Sequence, residues 1–167
     1  TYQSSLTPIL ARRATWTVTA PSCTAVTDSP TTLSTMTARL VINPSCTISA
    51  NPLNFGTVTA VTALTATSNL SATCTLNGAY ALALDGGSVT GNVNARRMRL
   101  GTGPSTIDYQ LYRDAARTLV WGNTTGSMVT GTGTGAAQSI SVFGRVPPQG
   151  PKPPGIYRDT ITATITF

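Results

Sequence analysis

The chain has 167 residues, long enough to bury a sizeable core as one domain, or as one domain with an arm. It carries 11 basic and 5 acidic residues for a net charge of +6, with no histidine and no glutamate. That inventory leaves no imidazole base for catalysis and five scattered aspartates. The three cysteines match no zinc spacing, and no run of eighteen or so apolar residues could cross a membrane. The excess of positive charge invites a nucleic-acid reading, but aromatics are only 6% and no helical or RNA-binding signature accompanies the arginines. Neither an enzyme, nor a cofactor or metal carrier, nor a nucleic-acid binder is expected.

Threonine, serine, glycine, alanine and valine dominate, and no segment holds a long 3.6-residue apolar period, so the fold class is all-β. Residues 1–31 differ from the rest. They lack the apolar core of an intact signal peptide. VTAPSCTAV at 18–26 echoes VINPSCTIS at 41–49, either by chance in a threonine-rich chain or as a duplicate of an opening strand. Trp16 and Val18 alternate with threonines, so this arm could itself pair as a strand.

In TMTARLVINPSC, Met36, Ala38, Leu40 and Ile42 share one face and Thr37 and Arg39 the other, which is a half-greasy strand. Nothing just before it reads as a hairpin partner. Further strands are expected at 46–50, 52–58, 68–76, 79–85, 96–101, 106–113, 118–121, 137–146 and 156–167. LDGGS, LGTGPS, WGNTTG, TGTGTG and PPQGPKPPG punctuate them. Short strands at this spacing, without helices between them, predict a two-sheet sandwich or barrel. TGTGTG lacks the Gly-Lys-Ser/Thr ending and following helix of a phosphate loop, so a hairpin loop is expected. VPPQGPKPPG should be a stiff, exposed loop, since proline fixes φ and supplies no ladder donor.

Several side chains can be placed by alternation. In NARRMRLG, Arg97 and Arg99 fall on a solvated face opposite Met98 and Leu100, with an anionic partner such as a cell-surface polysaccharide as the alternative. Trp121 is expected in the core, and one of Tyr109 and Tyr112 is expected buried. Asp114 and Asp159, each following an arginine, suit turns or ion pairs better than acid–base work. Cys46 and Cys74 lie in strand-like surroundings, PSCTIS and SATCTL, as an intersheet or interstrand disulfide requires, which leaves Cys23 over.

In DTITATITF, Ile161, Ala163, Ile165 and Phe167 alternate with threonines as a core strand. A sandwich that opens on 35–43 and finishes on this strand has two ends that invite pairing. Residues 35–43 either fold back as an edge strand of their own domain or insert into a neighbouring copy. Burying Met36, Leu40 and Ile42 is worth about 5–9 kcal/mol, comparable with the whole net stability of a domain, about 5–15 kcal/mol.

LNFGTV (53–58), LSATCTL (70–76), LALDGG (82–87), YQLYRDAARTLVWG (109–122), ISVFGRVPPQ (140–149) and GIYRDTITATITF (155–167) occur in an order that resembles the spore coat protein U domain. That domain is the subunit family of archaic chaperone–usher pili of Gram-negative bacteria. The resemblance runs from about Leu33 to Phe167. It implies an incomplete immunoglobulin-like β-sandwich completed by a donor strand from a neighbouring subunit, in a fibre for adhesion and biofilm formation. A periplasmic chaperone would fill the groove first, and an outer-membrane usher would serve assembly. The protein would reach the cell surface through the periplasm.

Carried onto this chain, residues 1–31 are an arm of uncertain role, residues 32–43 the donor strand and residues 44–167 the pilin domain. Met36, Ala38, Leu40 and Ile42 fill the groove. Ile161, Ala163, Ile165 and Phe167 of Thr160–Phe167 line it, and Cys46 and Cys74 form the family disulfide. The arm with Cys23 departs from the single-domain pattern. A tip-adhesin domain, or a secreted coat protein binding a surface or polysaccharide, is the alternative. The loops at 86–95, 123–136 and 146–155 are mostly Gly, Thr, Pro and Asn, which favours a shaft subunit.

Overall fold

A computed structural model of the chain describes the backbone of residues 2–5 and all of residues 34–167. The remainder of the arm, with Trp16, Val18 and Cys23, lies outside the described residues. The described elements are β1 (Tyr2–Ser5), β2 (Thr37–Leu40), β3 (Cys46–Ala50), β4 (Leu64–Cys74), β5 (Ala79–Leu84), α1 (Gly87–Thr90), β6 (Arg97–Leu100), β7 (Thr106–Asp108), β8 (Gln110–Tyr112), β9 (Val129–Thr132), β10 (Ala137–Val146), β11 (Tyr157–Arg158) and β12 (Ala163–Thr166). They fall into two compact units, Thr1–Asn43 and Pro44–Phe167.

In the first unit β2 pairs antiparallel with β1, Tyr2 opposite Leu40 and Ser5 opposite Thr37. The strand at 35–43 therefore has a partner within the chain. Its ordered core is shorter than the alternation suggests, and Met36, Leu40 and Ile42 are 71%, 64% and 60% exposed.

The second unit is an antiparallel sandwich. One sheet runs β3-β4-β10-β8, and the facing strands form two three-stranded sheets, β12-β5-β9 and β11-β6-β7. Its backbone is the β4–β10 ladder, in register from Ala137 opposite Thr73 to Val146 opposite Leu64. Alternation sends Leu70, Ala72 and Cys74 of β4 and Val142 and Val146 of β10 inward, against Tyr80, Leu82 and Leu84 of β5. Trp121 is fully buried and donates its indole N–H to the Leu82 carbonyl at 2.9 Å, so its one polar atom is satisfied.

Chemistry at particular positions sets the departures from the expected elements. Residues 52–58 form no strand: beyond the bond from the Asn51 N–H to the Asn69 carbonyl, the Ser68 hydroxyl donates to the carbonyls of Asn51 and Pro52 in place of a β4 backbone donor. Leu53 and Phe55 still pack inward, lying over Gly144 of β10, where a Cβ would come within 2.8 Å of the Phe55 ring and 3.0 Å of Leu53. Phe55 also meets the Tyr109 ring edge-on, with centroids 6.2 Å apart.

Half of TGTGTG is strand rather than loop. Gly131 of β9 lies opposite Tyr80, and the Tyr80 ring occupies the space a side chain at 131 would need. Residues 118–121 supply only a bridge between Val120 and Tyr112. Residues 147–155 form the expected proline loop without strand or helix.

The arginine cluster divides by parity. Arg97 and Arg99 are exposed, and Arg97 forms an ion pair with Asp108 at 2.7 Å. Arg96 points the other way and is fully buried. Its Nε and Nη2 donate to the Asp85 carbonyl, Nη2 also reaches the carbonyls of Leu84 and Trp121, and Nη1 donates to Gln110 Oε1 at 2.6 Å. One guanidinium thus gathers carbonyls from the end of β5 and from the Trp121 segment, together with a β8 side chain. Replacing Arg96 with Met keeps the hydrocarbon stem but strands those acceptors. Guanidinium denaturation of Arg96→Met should show a loss of at least about 3 kcal/mol, the cost of several unsatisfied buried groups.

Cys46 and Cys74 are bonded and stand directly opposite each other on β3 and β4, with Cα atoms 4.1 Å apart. The bridge is therefore interstrand. Closing a loop with a sequence separation of 28 residues restricts the unfolded chain. The Cys46→Ala/Cys74→Ala variant should lose about 2–5 kcal/mol in denaturant unfolding.

Candidate functional site: an open groove at the sandwich edge

Among the described residues β3 pairs with β4 alone and β12 with β5 alone, so each is an edge strand there, with one row of backbone groups that no described strand pairs. β3 and β12 approach each other closely, and a cleft of about 460 Å³ opens where they part, beside Ala50 at the end of β3 and Ala163 at the start of β12. One wall is Ala50 to Leu53 with Phe55; the other is Tyr157 to Ile161 with Ala163. Leu70, Leu84, Met98, Tyr109, Leu111 and Val142 line the space between. The floor belongs to the core itself, so the cleft is a place where the hydrophobic interior reaches the surface.

The second wall is held by two aspartates. The expected single strand at 156–167 breaks at 159–162, and the chain passes from β6 of one sheet to β5 of another. Across that break the Thr162 N–H donates to Asp85 Oδ1 at 3.0 Å, while the Asp85 N–H donates to the Thr162 carbonyl. Asp159 turns inward. Its Oδ1 accepts from the Ser88 hydroxyl and from the Val89 and Thr160 N–H groups, and its Oδ2 accepts from the Tyr109 hydroxyl at 2.7 Å. Gly87 makes room for that carboxylate, which fills the position a Cβ would take. Asp159 thus serves a turn, and Asp114 does the same for the Thr118 and Leu119 N–H groups.

Burial raises the Tyr109 hydroxyl far above the ordinary tyrosine range, and its hydrogen bond to Asp159 adds to the effect. Tyr109 is therefore a fixed neutral donor at the base of the groove. Tyr112, half-buried, faces the neighbouring strand instead.

The sequence-derived residues occupy distinct positions. Ile161 and Ala163 line the cleft. Ile165, also half-buried, packs against the core, and Phe167 is 57% exposed. Leu53, Phe55, Tyr109 and Met98 also shape the groove and were not singled out as site residues. The LNFG run carried a signal for the first two, because two large apolar residues flank an asparagine in an otherwise small-residue chain. Among the described residues no group of three potential metal ligands occurs, and no helix is long and apolar enough to cross a membrane.

The fold is an all-β, immunoglobulin-like antiparallel sandwich with one open edge. The Spore Coat Protein U domain model matches residues 32–164, and the chain belongs to that family. It is 35% identical over 162 residues to Protein U of Myxococcus xanthus, covering 85% of this chain and 90% of that protein. Among solved structures, it resembles a chain in the crystal structure of the CsuC–CsuE chaperone–tip adhesion subunit pre-assembly complex from the archaic chaperone–usher Csu pili of Acinetobacter baumannii. The TM-score is 0.58 at 21% identity, over 75% of this chain and 40% of that one. The latter likeness is one of fold.

Asp85 makes the wall sensitive to acid. Burial alone would raise its pKa, but hydrogen bonds from Thr162 and Gly87 and the charge of Arg96 bring it below the ordinary 3.8. A folded value below the unfolded one means the stabilisation is present above pH 3.8 and is lost as pH falls through the folded value. Asp85→Asn should therefore be less stable than the parent at neutral pH. The two unfolding curves should converge as pH drops below about 4.

Proposed function

We propose that the chain is a structural, non-catalytic subunit of an archaic chaperone–usher pilus that polymerises by donor-strand complementation. Residues 32–43 are the donor strand. Met36, Ala38, Leu40 and Ile42 enter the groove of a neighbouring copy, and β3 and β12 of that copy supply the flanking hydrogen bonds. Ile161 and Ala163 receive the donor directly, with Ile165 and Phe167 continuing that edge. The observation that carries this reading is a cleft that opens into the core beside the ends of β3 and β12, in a chain that also exposes Leu40 on β2 and Met36 and Ile42 beside it.

Membership of the Spore Coat Protein U domain family and a fold shared with a chain of a chaperone–tip adhesion subunit complex support the same reading. Donation is head-to-tail, so it extends a filament rather than closing a dimer. Its partners are identical or related subunits in the fibre, with a periplasmic chaperone and an outer-membrane usher before it. The fibre stands on the cell surface, where it serves adhesion and biofilm formation.

Leu40→Asp/Ile42→Asp changes only the donor face. Electron microscopy should show no filaments from this variant, while co-purification with the chaperone stays at the parent level. Unaltered assembly would refute the donor assignment.

A further inference from the structure

A second cleft, of about 370 Å³, lies on the solvent side of the β6–β11 pair; it shares Arg158, Asp159 and Thr160 with the groove's second wall but none of the apolar residues that line the groove. Its notable feature is two like charges placed face to face. Arg158 of β11 is the direct cross-strand partner of Arg99 of β6, and both are exposed. Like charges in that relation destabilise a sheet, so fold stability does not account for the pair.

Arg97, on the same face, shows what a structural solution looks like, because Asp108 neutralises it at 2.7 Å. Among the described residues neither Arg99 nor Arg158 has an ion-pair or hydrogen-bond partner. The one carboxylate bordering the cleft, Asp159, is saturated by its four donors. Two guanidinium forks, each able to hold a planar or tetrahedral oxyanion bidentately, therefore face one opening with nothing to bind.

We propose that Arg99 and Arg158 form a binding site for the carboxylate or sulfate groups of an acidic polysaccharide. The rest of the lining suits a sugar better than a nucleic acid. Ser88 and Thr160 offer hydroxyls, Gly101 leaves the floor open, and no aromatic ring is present for a base to stack on. The site lies wholly within residues 44–167, so it stands or falls independently of the donor strand.

Titration of the full chain with an oligouronate, followed by calorimetry and backbone NMR shifts, tests this. Binding should perturb Ser88, Arg99 and Arg158, and inorganic sulfate should compete. Arg99→Gln or Arg158→Gln should weaken affinity by about tenfold, as loss of charge-assisted hydrogen bonds does. Arg145→Gln removes the same charge from an exposed position on β10 and should change affinity by less than about twofold.

Equal loss in all three variants would reduce the effect to bulk charge and overturn the site. So would tighter binding of single-stranded DNA than of the oligouronate, or undiminished binding in Arg99→Gln/Arg158→Gln. Removing one of two facing charges should leave the melting temperature unchanged or raise it. A marked fall would assign the pair a structural role instead.

Discussion

A β-sandwich is stable when its two apolar faces cover each other, and here the cover is missing along one edge. The ends of β3 and β12 border that gap, and neither strand carries the proline or charge with which edge strands usually discourage pairing. The interior beneath is fully built: Leu70, Leu84, Tyr109, Leu111 and Val142 belong both to the core and to the cleft. Polar devices hold the two walls apart. Ser68 donates to the carbonyls of Asn51 and Pro52 on one side, and Asp85 and Asp159 tie the 159–162 link on the other.

Much of this was legible in the sequence because period-two alternation is a strong signal where a strand has one wet face. The strands β5 and β10, most of β4, and the outward Arg97 and Arg99 follow from it, while the disulfide between Cys46 and Cys74 rested on strand-like surroundings at both cysteines. Arg96 was not placed, although it shares parity with Met98 and Leu100. The sign of its charge hid the inference, because a buried arginine is sensible only when carbonyls converge on it. Those carbonyls come from Leu84, Asp85 and Trp121, and nothing local announces their meeting.

The misplaced elements share a cause. The Ser68 hydroxyl ends a ladder at Asn51 and Pro52 although LNFG keeps an apolar, extended look. Glycines 131 and 133 join a strand, or lie beside one, because Tyr80 and Cys74 occupy the space their side chains would need. The break at 159–162 is set by Asp159, whose partners Ser88 and Val89 lie 71 and 70 residues earlier, and by Asp85, whose partner Thr162 lies 77 residues later. In each case the deciding contact is long-range, and local propensity yields to it. The groove was legible only as an argument about ends that do not meet, while its walls needed the assembled fold.

The cross-strand cystine sits three residues past Asn43, at the point where β3 begins. In a fibre joined through residues 32–43, tension arriving along the chain would reach this covalent link before it loaded the hydrogen bonds of β3. The bridge would pass the load sideways to β4, whose ladder with β10 runs ten residue pairs in shear. The short edge strand is thereby relieved of a mechanical burden that five residue pairs alone would otherwise carry.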